Sequence, residues 1–144
     1  EKGVVRGIQD FIFYNQLQHV SGAVIHFGDD LGTSSTNNSQ EEINIIVSKI
    51  PEGISKIVFI VSIANAQKGS VQFSDIQGAR IGIYDRLKNK ELAFFNLSEF
   101  KGSETVMLFG ELILKQNDWK FIPVNQGFSG GIDFMCKQYG VIIN

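Results

Sequence analysis

The densest gathering of potential ligands lies between Gly28 and Glu42, a stretch that reads GDDLGTSSTNNSQEE. Asp29 and Asp30 open it, Glu41 and Glu42 close it, and Asn37 and Asn38 lie between them among several hydroxyls. Hard cations such as Ca2+ draw oxygen ligands from carboxylates, amides and backbone carbonyls, and a polar loop offers all three. The spacing is not that of an EF-hand, because the alternating acidic positions and the terminal Glu at its fixed offset are missing. The plainer reading is a solvated, turn-rich loop whose terminal carboxylates keep it soluble. On composition alone both readings stay open. A loop of this length is long for a compact domain, and such loops often carry function.

Other reactive groups are sparse. The soft ligands are His19, His26 and Cys136, and nothing in the sequence brings them together as a zinc site would require. His19 falls in a polar turn and His26 on a strand. Cys136 falls beside Met135 on the apolar face of a terminal helix, where a buried structural thiol is the ordinary outcome. Gly127–Gly131 reads GFSGG, without the lysine of a phosphate loop or the order of a dinucleotide site, so it reads as a structural turn. Glu104 and Glu111 are isolated carboxylates, and no Ser/His/Asp order stands in a nucleophile-elbow context. No catalytic residue is assigned, and the expectation is a protein that is not an enzyme.

Bulk properties narrow the classes further. Thirteen basic residues against fifteen acidic ones leave a net charge of -2, with no basic stripe for nucleic acid. No apolar run approaches the length of a membrane span. One cysteine excludes an internal disulfide framework, and no signal-peptide pattern is visible, so the cytoplasm is the expected compartment. The 144 residues suffice for one real core and are read as a single domain, 1–144.

The elements that must position these groups are mostly strands. There are 19 Ile and 11 Val against 8 Leu and 5 Ala, together with 12 Phe. Branched and aromatic side chains crowd a helical turn but pack well on a pleated sheet. Short strands are expected at Phe11–Tyr14, Gly22–Phe27, Ile43–Val47, Lys56–Ile63, Arg80–Asp85 and Leu92–Leu97. Thr105–Lys115 is a longer strand interrupted by Gly110, which marks a bulge or a close backbone approach. Gln116–Asp118 turns the chain into a partner strand, Trp119–Val124. A short helix is expected around Ser70–Ile76. Ile132, Met135, Cys136 and Tyr139 fall at i, i+3, i+4 and i+7, with Gly140 where a helix C-cap belongs. The pattern predicts an all-β protein, a β-sandwich of two antiparallel sheets with a short C-terminal helix.

Several segments together resemble a known family. They are DFIFYN (Asp10–Asn15), IHFGDD (Ile25–Asp30), KIVFIVSIANAQ (Lys56–Gln67), ETVMLFGEL (Glu104–Leu112), WKFIPVNQGFSGGI (Trp119–Ile132) and CKQYG (Cys136–Gly140). In order and over essentially the whole chain they are similar to the TerD-like tellurium-resistance and general stress family. The resemblance implies a β-sandwich that binds Ca2+ and acts in stress responses as a non-enzymatic binding or signalling module. It implies carboxylate ligands at Asp29, Asp30, Glu41 and Glu42, with Asn37 or Asn38 filling the shell. It also implies, as partners, other stress-response proteins or a further copy of the chain.

Two departures from the family pattern stand out. The Asp-rich motif expected before the DFIFYN strand is lacking, so the chain reads as N-terminally incomplete. Leu31–Ser39 has also lost the acidic residues and most of the glycines. Calcium affinity is therefore expected to be weakened or absent in this chain, and a metal-independent scaffold or partner subunit is the alternative.

Overall fold

The structure is a computed structural model that describes residues 3–13, 15–27, 41–63, 71–76 and 78–142. The chain divides into two compact units, one formed by residues 1–54 with 136–144, the other by residues 55–135.

Among its described residues the second unit holds two antiparallel sheets. The larger has the order β3-β6-β7, with β3 at Lys56–Ser62, β6 at Val106–Lys115 and β7 at Asp118–Phe128. The smaller pairs β4 (Arg80–Asp85) with β5 (Lys90–Asn96). Inward residues alternate along β4, so that Ile81 and Ile83 pack inside while Arg80, Gly82 and Tyr84 face out. The core between the sheets is built on Phe73, Leu97, Met107 and Phe109, with Phe59, Val61, Phe95, Phe100 and Phe121 around them. This is the aromatic-rich sandwich that the composition predicts.

Gly110 does what its place in the pattern suggests. Both neighbouring ladders slip register here: Phe59 pairs with Gly110 but Ile60 with Leu108, and on the other side Leu108 pairs with Gln126 but Gly110 with Pro123. The result is a β-bulge centred on Phe109. A Cβ at residue 110 would stand 2.4 Å from Phe121 Cζ and 2.7 Å from the Ile122 carbonyl oxygen, so only glycine fits beneath them. The β6–β7 turn is also tight. Lys115 pairs with Asp118, and Gln116 and Asn117 both take positive φ, 51° and 63°, as a two-residue type I′ turn requires.

The first unit is lighter in regular structure. Among its described residues two strands, β1 (Val24–His26) and β2 (Ile43–Ile45), pair antiparallel with His26 opposite Ile43. On its other side β1 meets the segment before it, where the His26 N–H donates to the Leu17 carbonyl at 2.7 Å and the His19 N–H to the Val24 carbonyl at 3.0 Å.

Three expectations need correction. Among its described residues, Phe11–Tyr14 is not a strand: Phe13 makes one isolated bridge to Gln16, and the Gln16 amide nitrogen lies within hydrogen-bond distance of the carbonyls of Ile8, Gln9 and Phe11. A side chain satisfies these carbonyls where a neighbouring strand would otherwise be needed. Within the described part of Ser70–Ile76, a single 3-10 turn, Phe73–Asp75, replaces the expected helix. Strand β7 runs four residues past Val124, because its pairing with β6 resumes beyond the bulge.

The helix α1 spans Ile132–Gln138 and buries Met135 and Cys136. It ends in a Schellman motif. The Gly140 N–H reaches the Lys137 carbonyl, the Val141 N–H reaches the Cys136 carbonyl, and Gly140 sits at φ 77°.

Candidate functional site

The described geometry bears on the acidic loop through its two ends. Antiparallel pairing of β1 and β2 runs up to His26 and Ile43, and one step further the Phe27 N–H donates to the Glu42 carbonyl at 3.0 Å. A second bond, from the Ile46 N–H to the Ala23 carbonyl at 2.7 Å, closes the other end of the pair. Asp29, Asp30, Asn37 and Asn38 lie outside the described residues. Glu41 and Glu42 are described, and both are exposed. Among the described residues no group of three or more His, Cys, Asp and Glu side chains could hold a metal ion.

The described residues do assemble one polar cluster, in the first unit. A 3-10 turn at Ile8–Asp10 folds Asp10 back onto Arg6, four residues earlier. Asp10 Oδ2 accepts from Arg6 Nε at 2.8 Å and from the Arg6 backbone N–H at 3.1 Å, and Oδ1 accepts from Arg6 Nη2 at 2.9 Å. His19 Nε2 stands 3.0 Å from Asp10 Oδ1, and His19 Nδ1 stands 2.7 Å from Ser21 Oγ. The Ser21 backbone N–H also points at Nδ1, at 3.1 Å, so this nitrogen is an acceptor and the ring proton sits on Nε2, directed at Asp10. Hydrogen bonds from Arg6, helped by His19 and opposed by burial, hold the Asp10 carboxyl down at about 2, from an ordinary value of 3.8.

Asp10, His19 and Ser21 thus stand in the order used to activate a serine nucleophile. The nearby backbone donors, however, are already engaged. The Gly22 N–H bonds the His19 carbonyl, and the Ala23 N–H bonds Ser21 Oγ at 3.1 Å. An oxyanion would need such donors free and preorganised. In this setting the array locks the turn that delivers the chain into β1. Sequence reading missed it: His19 read as a turn residue, and only the 3-10 fold at Ile8–Asp10 brings a carboxylate nine residues away onto its ring. The pairing of a His with a Ser two residues later was the one available signal.

The remaining groups are where the sequence put them. Glu111 pairs with Lys56 on the neighbouring strand at 3.4 Å, and Glu104 accepts the Gly102 N–H at 2.9 Å. Cys136 is buried. In the GFSGG segment, a Cβ on Gly127 would come within 2.6 Å of Phe100 Cε1 and 2.8 Å of Glu104 Cγ, so this glycine serves close packing.

An antiparallel β-protein with an aromatic core defines a class, and comparison with known proteins makes it specific. The TerD domain pattern matches residues 1–139, and the chain belongs to that family. It is 40% identical over 139 residues to the tellurium resistance protein TerD of Serratia marcescens, covering 96% of this chain and 72% of that protein. It is 37% identical to the chemical-damaging agent resistance protein B of Clostridium acetobutylicum, covering 92% of this chain and 94% of that protein. It is 35% identical to general stress protein 16U of Bacillus subtilis (strain 168), covering 92% of this chain and 68% of that protein. The family is thus one of tellurium-resistance and stress-response proteins. Among the described residues no helix is long and apolar enough to cross a membrane.

Proposed function

We propose that this chain is a calcium-binding, non-enzymatic stress-response module that works by binding or signalling in the cytoplasm. The observation that carries this reading is the Phe27–Glu42 clasp. It joins the residues that flank the stretch, Phe27 and Glu42, across the end of the β1–β2 pair. Asp29, Asp30, Glu41 and Glu42, with Asn37, Asn38 and backbone carbonyls, form a donor set of hard oxygens, which suits Ca2+ and offers no soft ligand for zinc or copper. Family membership supports the stress-response role, and its partners are other stress-response proteins or a second copy of the chain.

A second reading, a metal-independent scaffold, is favoured by one feature: Leu31–Gln40 contains no carboxylate, so the ligand charge is confined to the loop ends. Calorimetry and thermal melts with millimolar Ca2+ separate the two. Calcium binding predicts a saturable heat, and a stabilisation of about 2.7 kcal/mol when the ion is at a hundred times its dissociation constant. Asp29→Asn with Asp30→Asn should abolish both. No heat and an unmoved melting temperature would leave the scaffold reading standing.

A further inference from the structure

The β4–β5 hairpin ends in the turn 86–89, which joins Asp85 to its partner Lys90. The turn is braced from within. Asp85 Oδ1 accepts from the Leu87 N–H at 3.0 Å and from the Lys88 N–H at 3.2 Å. The Tyr84 hydroxyl donates to Asn89 Oδ1, and Asn89 takes φ 50°. An aspartate that bonds the backbone two residues on fixes a tight turn, and turns are ordinarily filled with polar residues. This one instead presents an apolar side chain among cations. Leu87 is 99% exposed, more than any other large apolar residue described. Arg86, Lys88 and Lys90 beside it are exposed as well. Residues 86–90 carry three cations and no carboxylate, in a chain whose net charge is -2. Among the described residues neither Lys88 nor Lys90 is in an ion pair.

We propose that this turn is a docking tip for an anionic lipid surface, with Leu87 inserted at the boundary of headgroups and acyl chains and Lys88 and Lys90 on the lipid phosphates. Two features favour a bilayer over an acidic protein. A specific protein interface buries about 800 Å² on each partner around a packed apolar centre, whereas the turn offers one leucine flanked by cations. A bilayer accepts a single apolar side chain just below its phosphates, and it draws flanking lysines to headgroup depth with their stems along the apolar layer. The charge is also one-sided. An anionic plane attracts residues 86–90 and repels the acidic remainder of the chain, and a screening length of about 8 Å at physiological ionic strength keeps that repulsion weak. Tyr84, half exposed with its hydroxyl on the turn, has the amphipathic character that suits headgroup depth. This tip makes no use of the acidic loop and does not depend on calcium.

The test places an environment-sensitive dye on the full chain through Leu87→Cys; Cys136 is buried, so native labelling is selective. The control dye goes on through Val20→Cys, because Val20 is 88% exposed but has no neighbouring lysine or arginine in sequence. Both are mixed, in chelator, with vesicles of phosphatidylcholine containing phosphatidylserine, at millimolar lipid. The dye at residue 87 is expected to brighten and shift to the blue saturably. The dye at residue 20, and either dye with pure phosphatidylcholine, is expected to stay unchanged. Cosedimentation of unlabelled protein reads the affinity. Lys88→Gln and Lys90→Gln are each expected to weaken it about fivefold, and Leu87→Ser several-fold. All three side chains are exposed, so the variants stay folded. The proposal is overturned if unlabelled protein fails to sediment with the anionic vesicles, if the dye at residue 87 stays unmoved, if the dye at residue 20 responds as strongly, or if the three substitutions leave binding unchanged. A response at residue 87 to polyglutamate or duplex DNA equal to that with vesicles would also overturn it, by giving the tip to an acidic protein or a nucleic acid.

Discussion

Asp10 accepts four hydrogen bonds on two oxygens, three from Arg6 and one from His19. Its carboxyl titrates near 2 when folded, against 3.8 when unfolded. Between these values the unfolded chain binds more protons than the folded one, so stability rises with pH across that window and is lost as pH falls through it. Arg6 is exposed and its charge screened, so the Asp10 carboxylate contributes only about 1–2 kcal/mol at neutral pH. Urea unfolding of Asp10→Asn should show that deficit at pH 7 and only a small part of it near pH 2; an equal deficit at both would place the effect in packing. Ser21→Ala removes the acceptor of the Ala23 N–H, and Ala23 is buried. It should cost about 1–2 kcal/mol in the same measurement. The proposed metal ligands stand out as a motif in the sequence because they lie close together along it. The Asp10–His19–Ser21 array does not, because its members meet only through a turn whose formation no single residue announces.

Elements that depend on backbone sterics were the most readable. Gly140 as a helix stop, Gly110 as a strand interruption and the Gln116–Asn117 turn all follow from which residues tolerate which dihedrals. Gly110→Ala should destabilise by about 1–3 kcal/mol, since the added methyl group meets the Ile122 carbonyl oxygen, which cannot rotate away. Its check is the denaturation midpoint. The β6–β7 turn allows a gain. Asn-Gly is the favoured pair for this turn, so Gln116→Asn with Asn117→Gly should stabilise by about 0.5–1 kcal/mol. Elements that depend on who satisfies whose hydrogen bonds were misread. Phe11–Tyr14 has the composition of a strand, yet its neighbourhood is organised by the Gln16 amide, and composition carries no trace of that.

At the scale of the whole chain, each unit comes with its own reporter. Trp119 lies in β7 of the second unit, and the single thiol, Cys136, is buried in the first. Phe109→Ala empties the centre of the second unit's core and should cost about 3–5 kcal/mol, read as a lowered midpoint of Trp119 fluorescence in urea. Cys136 should resist thiol reagents in the native protein and react promptly once denatured; rapid native labelling would contradict its burial.

The Phe27–Glu42 clasp has a bearing on engineering. Loop-closure entropy grows only with the logarithm of length, so doubling the stretch between the two clasped residues costs about 0.6 kcal/mol. Positions 28–41 are therefore a port at which a reporter tag or a richer set of acidic residues can be spliced in, with the β1–β2 pair as the socket that holds it.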